Sequence, residues 1–265
     1  MKRIEAVFRK LKKRGEKALI PFITCGDPDL PTTKALALTI AAKGADLLAL
    51  GIPFSDPLAD GPTIQAAGNR ALQRGVHFQE VLELAGEVRR ETEIPLILMG
   101  YYNPILQYGL ERAARDAAQL GVDGFIIPDL PLEEAGPWRK AAMAEGLAPI
   151  FLAAPTSGAE RIRRAGRLSR GFLYYVSVTG ITGARTALPP ELAAALKEVR
   201  SLVKCPLAVG FGISTPEQVK WLAPYVDGVV VGSAIVQRVA KLKGEELLRE
   251  VGDFIARLKE PLRAE

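Results

Sequence analysis

Short apolar segments alternate with amphipathic segments along almost the entire chain. Eight of the apolar segments are continuous rather than alternating, which is typical of parallel strands covered by helices. They predict strands at residues 18–24, 47–51, 96–101, 124–127, 149–153, 171–176, 206–210 and 228–231. The segments between them have helical spacing and predict helices at 31–43, 78–91, 110–120, 133–145, 159–168, 190–202, 216–224, 233–241 and 245–258.

This order of elements predicts an α/β fold, a single (β/α)8 TIM barrel over residues 1–265. Such a barrel needs roughly 250 residues. The charged, amphipathic residues 1–14 predict an extra N-terminal helix. The alternative is an open doubly wound sheet, which would have fewer strands and a G-x-G-x-x-G turn after the first strand. That turn is absent, so the pattern favours the barrel.

Composition narrows the classes of function. The net charge of +5 is modest, and no aromatic residues interleave with the basic clusters at 10–14 and 161–164, so nucleic-acid binding is not expected. Two cysteines, Cys25 and Cys205, build neither a disulfide framework nor a metal site and favour a reducing, cytoplasmic setting. No apolar run approaches the roughly 18 residues of a membrane span, and we expect no membrane association.

Glycines at the ends of the last two predicted strands indicate a phosphate site. The seventh strand ends in Gly210-Phe211-Gly212, and the eighth ends in Gly232-Ser233 directly before a helix. Backbone N–H groups and a helix N-terminus bind anions, and barrels often place phosphate in these loops. The loop after the sixth strand could add the N–H of Gly183. The alternative is that these glycines only make tight turns.

An acidic, proline-rich loop follows the second predicted strand. It covers residues 51–65 and contains Asp56 and Asp60. Prolines stiffen a loop, and a stiff loop can hold a carboxylate in one place. Asp60 is the better candidate for chemistry because Gly61 allows the chain to turn it towards the barrel mouth. Either aspartate could instead cap a turn.

Residues 51–65 resemble the signature loop of the tryptophan synthase α subunit family. The resemblance extends over nearly the whole chain and includes Pro21-Phe22, Gly26-Asp27-Pro28, Met99 to Pro104, Pro128 to Pro131, Ala154-Pro155-Thr156, Ser177 to Gly183, Gly210-Phe211-Gly212 and Gly232-Ser233. It implies an aldolase-type lyase of tryptophan biosynthesis, which cleaves indole-3-glycerol phosphate to indole and glyceraldehyde 3-phosphate. It also implies that this subunit needs no metal or organic cofactor.

The resemblance assigns roles residue by residue. Asp60 would hold the indole N–H and stabilise positive charge on the ring, and Tyr174 would lie near the acid/base groups together with Thr182. The expected indole slot is lined by Phe22, Ile64, Met99 and Ile126. The expected phosphate positions are Gly183, Gly210, Phe211, Gly212, Gly232 and Ser233.

The resemblance further implies a partner. The family works as an αββα heterotetramer with a β subunit that carries pyridoxal phosphate, and indole passes between the subunits. The positions expected to meet the β subunit are Pro53, Asp56, Asn103, Pro104, Asp129 and Pro131.

Ala49 departs from the family pattern, which has a catalytic glutamate at this position. A methyl group cannot shuttle protons, and loss of a general acid/base costs on the order of a hundred- to ten-thousand-fold in rate. Three explanations remain open: an engineered, substrate-trapping variant; a chain in which another group substitutes; and an inactive homologue that binds ligand and activates a β partner. A sister phosphate-binding barrel of the phosphoribosyl isomerase type is a weaker rival, which the 53–65 loop disfavours.

Overall fold

The fold is a barrel of parallel strands surrounded by helices. In a computed structural model, residues 2–176, 190–210 and 212–264 are described, and within them nine parallel strands form one sheet. They are β1 Ala18–Thr24, β2 Leu48–Gly51, β3 Leu96–Met99, β4 Gly124–Ile126, β5 Ala148–Ile150, β6 Leu152–Ala153, β7 Leu173–Val176, β8 Leu207–Gly210 and β9 Gly228–Val231. The spatial order is β5-β4-β3-β2-β1-β9-β8-β7-β6.

The sheet closes because its two edges belong to one chain segment. β5 and β6 are separated only by Phe151, whose N–H is donated to the Ser169 hydroxyl (3.0 Å). The sequence predicted a single strand over 149–153, and this interruption divides it in two. The eight predicted strands therefore correspond to eight barrel positions, and the predicted TIM barrel is confirmed.

Helices cover the outside of the barrel. They are α1 Lys2–Arg14, α2 Leu30–Ala42, α3 Pro62–Gln73, α4 Phe78–Arg89, α5 Tyr102–Tyr108, α6 Leu110–Gln119, α7 Gly136–Ala144, α8 Ala159–Leu168, α9 Pro190–Leu202, α10 Pro216–Leu222, α11 Ser233–Lys241 and α12 Gly244–Lys259, followed by a 3-10 turn at Glu260–Leu262. All the predicted helices are present, although α7 begins later than the predicted 133–145. The sequence patterns missed α3 and α5, both of which lie in loops at the barrel mouth.

Side chains of each strand alternate between the barrel interior and the helix layer. On β1, Ala18 and Ile20 pack in the interior, whereas Leu19 and Ile23 pack against the outer helices. The predicted N-terminal helix is confirmed as α1, whose Ile4, Phe8 and Leu11 join the interior cluster. Phe22 continues the inward face of β1 towards the opposite end of the barrel, where it belongs to a third cluster.

Three aspartates join neighbouring strands at the N-terminal end. Asp46 accepts the N–H of Leu19 (2.8 Å), Asp123 accepts that of Leu96 (3.0 Å), and Asp227 accepts that of Leu207 (2.8 Å). Each carboxylate also contacts a basic side chain: Lys259, Arg89 and Arg200, respectively. This end of the barrel is thus occupied by structural ion pairs, which leaves the other end for ligand chemistry. Among the described residues, no helix is long and apolar enough to cross a membrane.

Substitution of Lys259 tests how much these aspartate ion pairs contribute to stability. Its ammonium group is 2.8 Å from Asp46 and 3.0 Å from the carbonyl of Lys17, and its side chain is only 6% exposed. Lys259→Met should lower the free energy of unfolding by about 3 kcal/mol, because it leaves a buried carboxylate without its counter-ion. The measurement is chemical denaturation. Lys43→Met is the control, since the ion pair of Lys43 with Asp253 is half exposed (48%) and should cost less than about 1 kcal/mol. Equal losses for the two variants would contradict this account.

Candidate active site

A cleft that is partly open to solvent lies at the C-terminal end of the barrel. It is bounded by the ends of β1, β2 and β3 and by the start of α3. Its lining includes Phe22, Asp60, Ile64, Met99 and Tyr101. Active sites of (β/α)8 barrels occur on this face, where the loops can vary without disturbing the core. The cleft therefore combines an apolar slot with one carboxylate.

Asp60 is held by the turn that precedes α3. Its N–H is donated to the carbonyl of Pro57 (3.0 Å), and its carbonyl accepts the side-chain amide of Gln65 (2.8 Å). Burial raises the pKa of the Asp60 carboxyl to about 6, an effect that the hydrogen bond from Tyr101 partly offsets. The carboxylate form therefore predominates at pH 7. Gly61, rather than Asp60, is the N-cap of α3, so Asp60 is not occupied as a helix cap.

Tyr101 lines the cleft, although no sequence pattern singled it out. Its hydroxyl accepts the N–H of Ala59 (2.9 Å) and donates to the Asp60 carboxylate, while its ring stacks on Phe54 at 5.3 Å. Burial, reinforced by the charge of Asp60, raises the pKa of Tyr101, so the hydroxyl keeps its proton. One side chain thereby fixes both the loop and the carboxylate.

The loop after β1 is fastened to α3 by a two-bond ion pair. Arg70 donates from Nε and Nη2 to the two carboxylate oxygens of Asp27, at 2.7 and 2.8 Å. Asp27 is buried (2% exposed), so the pair is shielded on that side from water. Paired, planar contacts of this kind fix geometry as well as charge. Because Asp60 lies directly before α3, this pair also restrains the position of the carboxylate.

Ala49 lies among the residues predicted to line the indole slot. It is fully buried and packs in one cluster with Phe22, Ile64, Met99 and other apolar side chains. Its strand register places it opposite Phe22 on β1 and Ile97 on β3. The side chain at position 49 thus points towards the mouth, on the inward face of the barrel.

The Phe22 ring lies between two strand ends, one beside Asp60 and the other beside the predicted phosphate position. A Cβ built on Gly51 would lie 2.5 Å from its ring, and one built on Gly232 would lie 3.3 Å from it. The glycines let the ring fill the space between the end of β2, beside Asp60, and the end of β9, beside the predicted phosphate position. A ligand spanning these two ends would cross the Phe22 ring.

Two of the predicted site residues lie deeper. Ile126 and Tyr174 are buried in the interior cluster, which Met99 connects to the mouth cluster. Burial raises the pKa of Tyr174, and the Asp60 charge raises it further. A Cβ on Gly210 would overlap the Tyr174 hydroxyl, which gives this glycine a steric role beside its predicted phosphate role.

The predicted phosphate position is only partly described. Gly232 is the N-cap residue of α11, and its carbonyl accepts the N–H groups of Ile235 (2.8 Å) and Val236 (3.1 Å). Ser233, exposed in the first turn, and Gly212, at φ +73° with open space around it, lie at neighbouring strand ends. A helix N-terminus of this kind attracts anions. Three further predicted positions, Thr182, Gly183 and Phe211, lie outside the described residues.

The predicted partner positions lie on the same face, around the cleft. Asp56, Asn103, Asp129 and Pro131 are exposed and Pro104 is partly exposed, whereas Pro53 is buried and lines the cleft. Asp129 also has a structural role, since it accepts the N–H of Tyr102 (2.9 Å) at the start of α5.

Two apolar side chains stand out beside these positions. Leu58, at 95% exposure, and Leu106, at 47%, are the exposed large hydrophobic residues of the described chain. Leu58 follows Asp56 in the loop after β2, and Leu106 lies on α5 beyond Pro104.

The fold and the cleft together define a (β/α)8 barrel with a cleft at the C-terminal ends of its strands, as in barrel enzymes. The family model for the tryptophan synthase alpha chain matches residues 8–260. The tryptophan synthase alpha chain of Citrifermentans bemidjiense is 53% identical over 260 residues, which cover 98% of this chain and 97% of the relative. A solved tryptophan synthase subunit alpha from Legionella pneumophila has 40% identity and a TM-score of 0.90, with 98% of each chain covered. A solved chain of Mycobacterium tuberculosis tryptophan synthase has 35% identity and a TM-score of 0.90, with 99% of each chain covered.

The chain therefore belongs to the tryptophan synthase alpha chain family. The resemblance read from the 51–65 loop is confirmed at the level of the family. Members of this family are lyases of the aldolase type, and the function of a tryptophan synthase alpha subunit follows for this chain.

The titration of Asp60 tests the electrostatics of the cleft. The carboxyl should titrate near pH 6, and Tyr101→Phe should move this midpoint upwards, because the hydrogen bond that favours the ionised form is lost. Carbon-detected NMR of the aspartate carboxyls measures both values. Tyr108→Phe is the control, since the Tyr108 hydroxyl donates instead to Asp116 on the outer surface. A midpoint near 4 in the parent chain, or one that Tyr101→Phe leaves in place, would contradict the arrangement.

Proposed function

We propose that the cleft binds indole-3-glycerol phosphate for retro-aldol cleavage to indole and glyceraldehyde 3-phosphate, and that Ala49 impairs this cleavage. The observation that carries the proposal is that Phe22, Ile64 and Met99 pack in one cluster with the buried Ala49 and line the same cleft as Asp60. The apolar lining suits a flat apolar ring, and Asp60 would supply the acceptor for its single N–H. The relatives of this chain support this choice of substrate, since they are named as tryptophan synthase alpha chains.

Asp60 has the properties that its proposed role requires. Its carboxylate is mostly ionised at pH 7, it is partly shielded from water, and the Tyr101 hydroxyl favours its ionised form. A fixed negative charge in a poorly solvated site stabilises positive charge that develops on the ring as the carbon–carbon bond opens. The raised pKa also predicts that ligand affinity falls as the pH drops below about 6, because the neutral acid no longer attracts the ring N–H as strongly.

Position 49 is where proton transfer would be expected. A glutamate there would be enclosed by apolar side chains, and desolvation would raise its pKa towards neutrality. A carboxyl group with a pKa near the working pH is an efficient general acid and base. In this chain a methyl group occupies the position, so the site would retain ring binding and charge stabilisation but lack the proton shuttle. No metal or organic cofactor enters this proposed reaction.

The far end of the substrate would be anchored by its phosphate. Gly212, Gly232 and Ser233 lie at the ends of β8 and β9, and α11 begins at Ser233. The Phe22 ring lies between this end and the Asp60 end. This arrangement suits a ligand that has an aromatic ring at one end and a phosphate at the other.

We further propose that the face around Leu58 binds a tryptophan synthase β subunit, as in an αββα complex whose β subunits carry pyridoxal phosphate. Exposed apolar surface rimmed by polar residues is typical of protein interaction sites. Leu58 and Leu106 flank the predicted partner positions, and both lie at the cleft end of the barrel. A partner on this face would cover the cleft, which suits direct transfer of indole.

The same observations allow a rival function, an inactive subunit that binds ligand and stimulates the β partner. Ala49 favours it directly, because a chain without a proton shuttle could still bind substrate and partner. The two functions differ in one measurable respect: only the impaired enzyme recovers indole release when a carboxyl group is restored.

Ala49→Glu should increase the rate of indole release by about a hundred-fold or more, since it restores a general acid/base. The measurement is indole formation from indole-3-glycerol phosphate, with and without a β subunit. Ala49→Gln is the matched control, because it adds a side chain of the same size that cannot transfer a proton. A parent chain as active as Ala49→Glu, or equal gains for both variants, would reject the role of position 49. Binding without recovery would favour the inactive subunit.

Leu58→Asp should weaken binding of the β subunit about ten-fold or more, because it places a charge in an apolar contact. Calorimetric titration with a β subunit measures the affinity. Ala6→Asp is the control, since Ala6 is exposed on α1 at the opposite end of the barrel. An equal affinity of the two variants for the β subunit would place the interface elsewhere.

A further inference from the structure

Thr24 is a buried hydroxyl residue that the proposed function does not yet use. It is the last residue of β1 and only 5% exposed, and it lines the cleft together with Phe22 and Asp60. Its Oγ1 atom has no hydrogen-bond partner among the residues that the structure describes. A buried hydroxyl without a partner is costly, and native proteins rarely leave one without a functional reason.

The direction of the side chain follows from the strand. Phe22 packs in the mouth cluster on the inward face of β1, and Thr24, two residues later, shares that face. Its register partner on β2 is Gly51, which has no side chain to cover the hydroxyl. The other buried, unpartnered side-chain atom of the described residues is Arg139 Nε, which lies on α7 outside the barrel. The unpartnered hydroxyl thus lies at the ligand end of the barrel.

We propose that the Thr24 hydroxyl hydrogen-bonds the substrate in the cleft and is a binding and specificity residue of this site. This proposal rests on the proposed function, because the ligand is the one assigned there. A hydroxyl can donate and accept, so it can pair with a polar group of the substrate that the apolar slot of Phe22, Ile64 and Met99 cannot satisfy. A ligand that lacks such a group would leave Thr24 unpaired and would be disfavoured.

The chain contains a matched control, Thr33. It is also buried (0% exposed), but its hydroxyl accepts the N–H of Gly26 (3.1 Å) and donates to the carbonyl of Asp29 (2.7 Å). Thr→Val retains the shape of the side chain and removes only the hydroxyl. At Thr33 the replacement removes two internal hydrogen bonds, whereas at Thr24 it removes none that the described residues make.

The experiment compares the parent chain with Thr24→Val, Thr24→Ser and Thr33→Val. Calorimetric titration with indole-3-glycerol phosphate measures affinity, and thermal unfolding measures stability. We expect Thr24→Val to bind about five- to ten-fold more weakly, which is the usual effect of one lost hydrogen bond, while its unfolding midpoint stays level or rises. Thr24→Ser should bind like the parent. Thr33→Val should lower the midpoint and leave the affinity of the folded protein unchanged.

The outcomes separate this proposal from the proposed function. Parent-like affinity in Thr24→Val would overturn the role of Thr24 and leave the substrate assignment intact. A lower unfolding midpoint in Thr24→Val, without loss of affinity, would make the hydroxyl structural and also overturn the proposal. A parent chain that does not bind indole-3-glycerol phosphate would overturn both.

Discussion

Parallel pairing of neighbouring strands is the constraint on which the site depends. Because every strand runs in the same direction, all the C-terminal ends meet at one end of the barrel. The register places Phe22 beside Ala49 and Thr24 beside Gly51, so residues distant in sequence share one cleft. The opposite end is secured by Asp46, whose carboxylate joins a backbone N–H and a buried lysine. Stability and chemistry are thus assigned to different ends of the same strands.

In the proposed reaction, Asp60 holds negative charge in the cleft, whereas position 49 is where protons would move. Asp60 is buried enough for its pKa to rise, yet Tyr101 donates a hydrogen bond that limits the rise and fixes the carboxylate. The Asp27–Arg70 pair restrains α3, which begins just after Asp60. Ala49 takes part in none of these contacts, since it packs among apolar side chains. The proposed loss of proton transfer is therefore compatible with an intact cleft.

The fold was predictable because the strands are continuous apolar segments and because glycines mark the ends of several helices. Gly44 and Gly121, for example, have the positive φ values expected of helix ends. α3 was missed because its apolar residues are few and it contains Gly68. The stiff loop singled out Asp60, which lines the cleft, whereas no pattern singled out Tyr101 or Thr24, which line it too. Their surroundings come from residues distant in sequence, since Tyr101 accepts the N–H of Ala59 and Thr24 lies beside Gly51 on β2, and no local pattern contains these contacts.

The most direct test of the central claim is a crystal structure of the chain with indole-3-glycerol phosphate. The account predicts uncleaved substrate across the Phe22 ring, with the indole N–H on the Asp60 carboxylate and the phosphate at the ends of β8 and β9. The methyl group of Ala49 should face the bond that would break. Substrate bound with its ring away from Asp60, or with its phosphate at the opposite end of the barrel, would contradict the account.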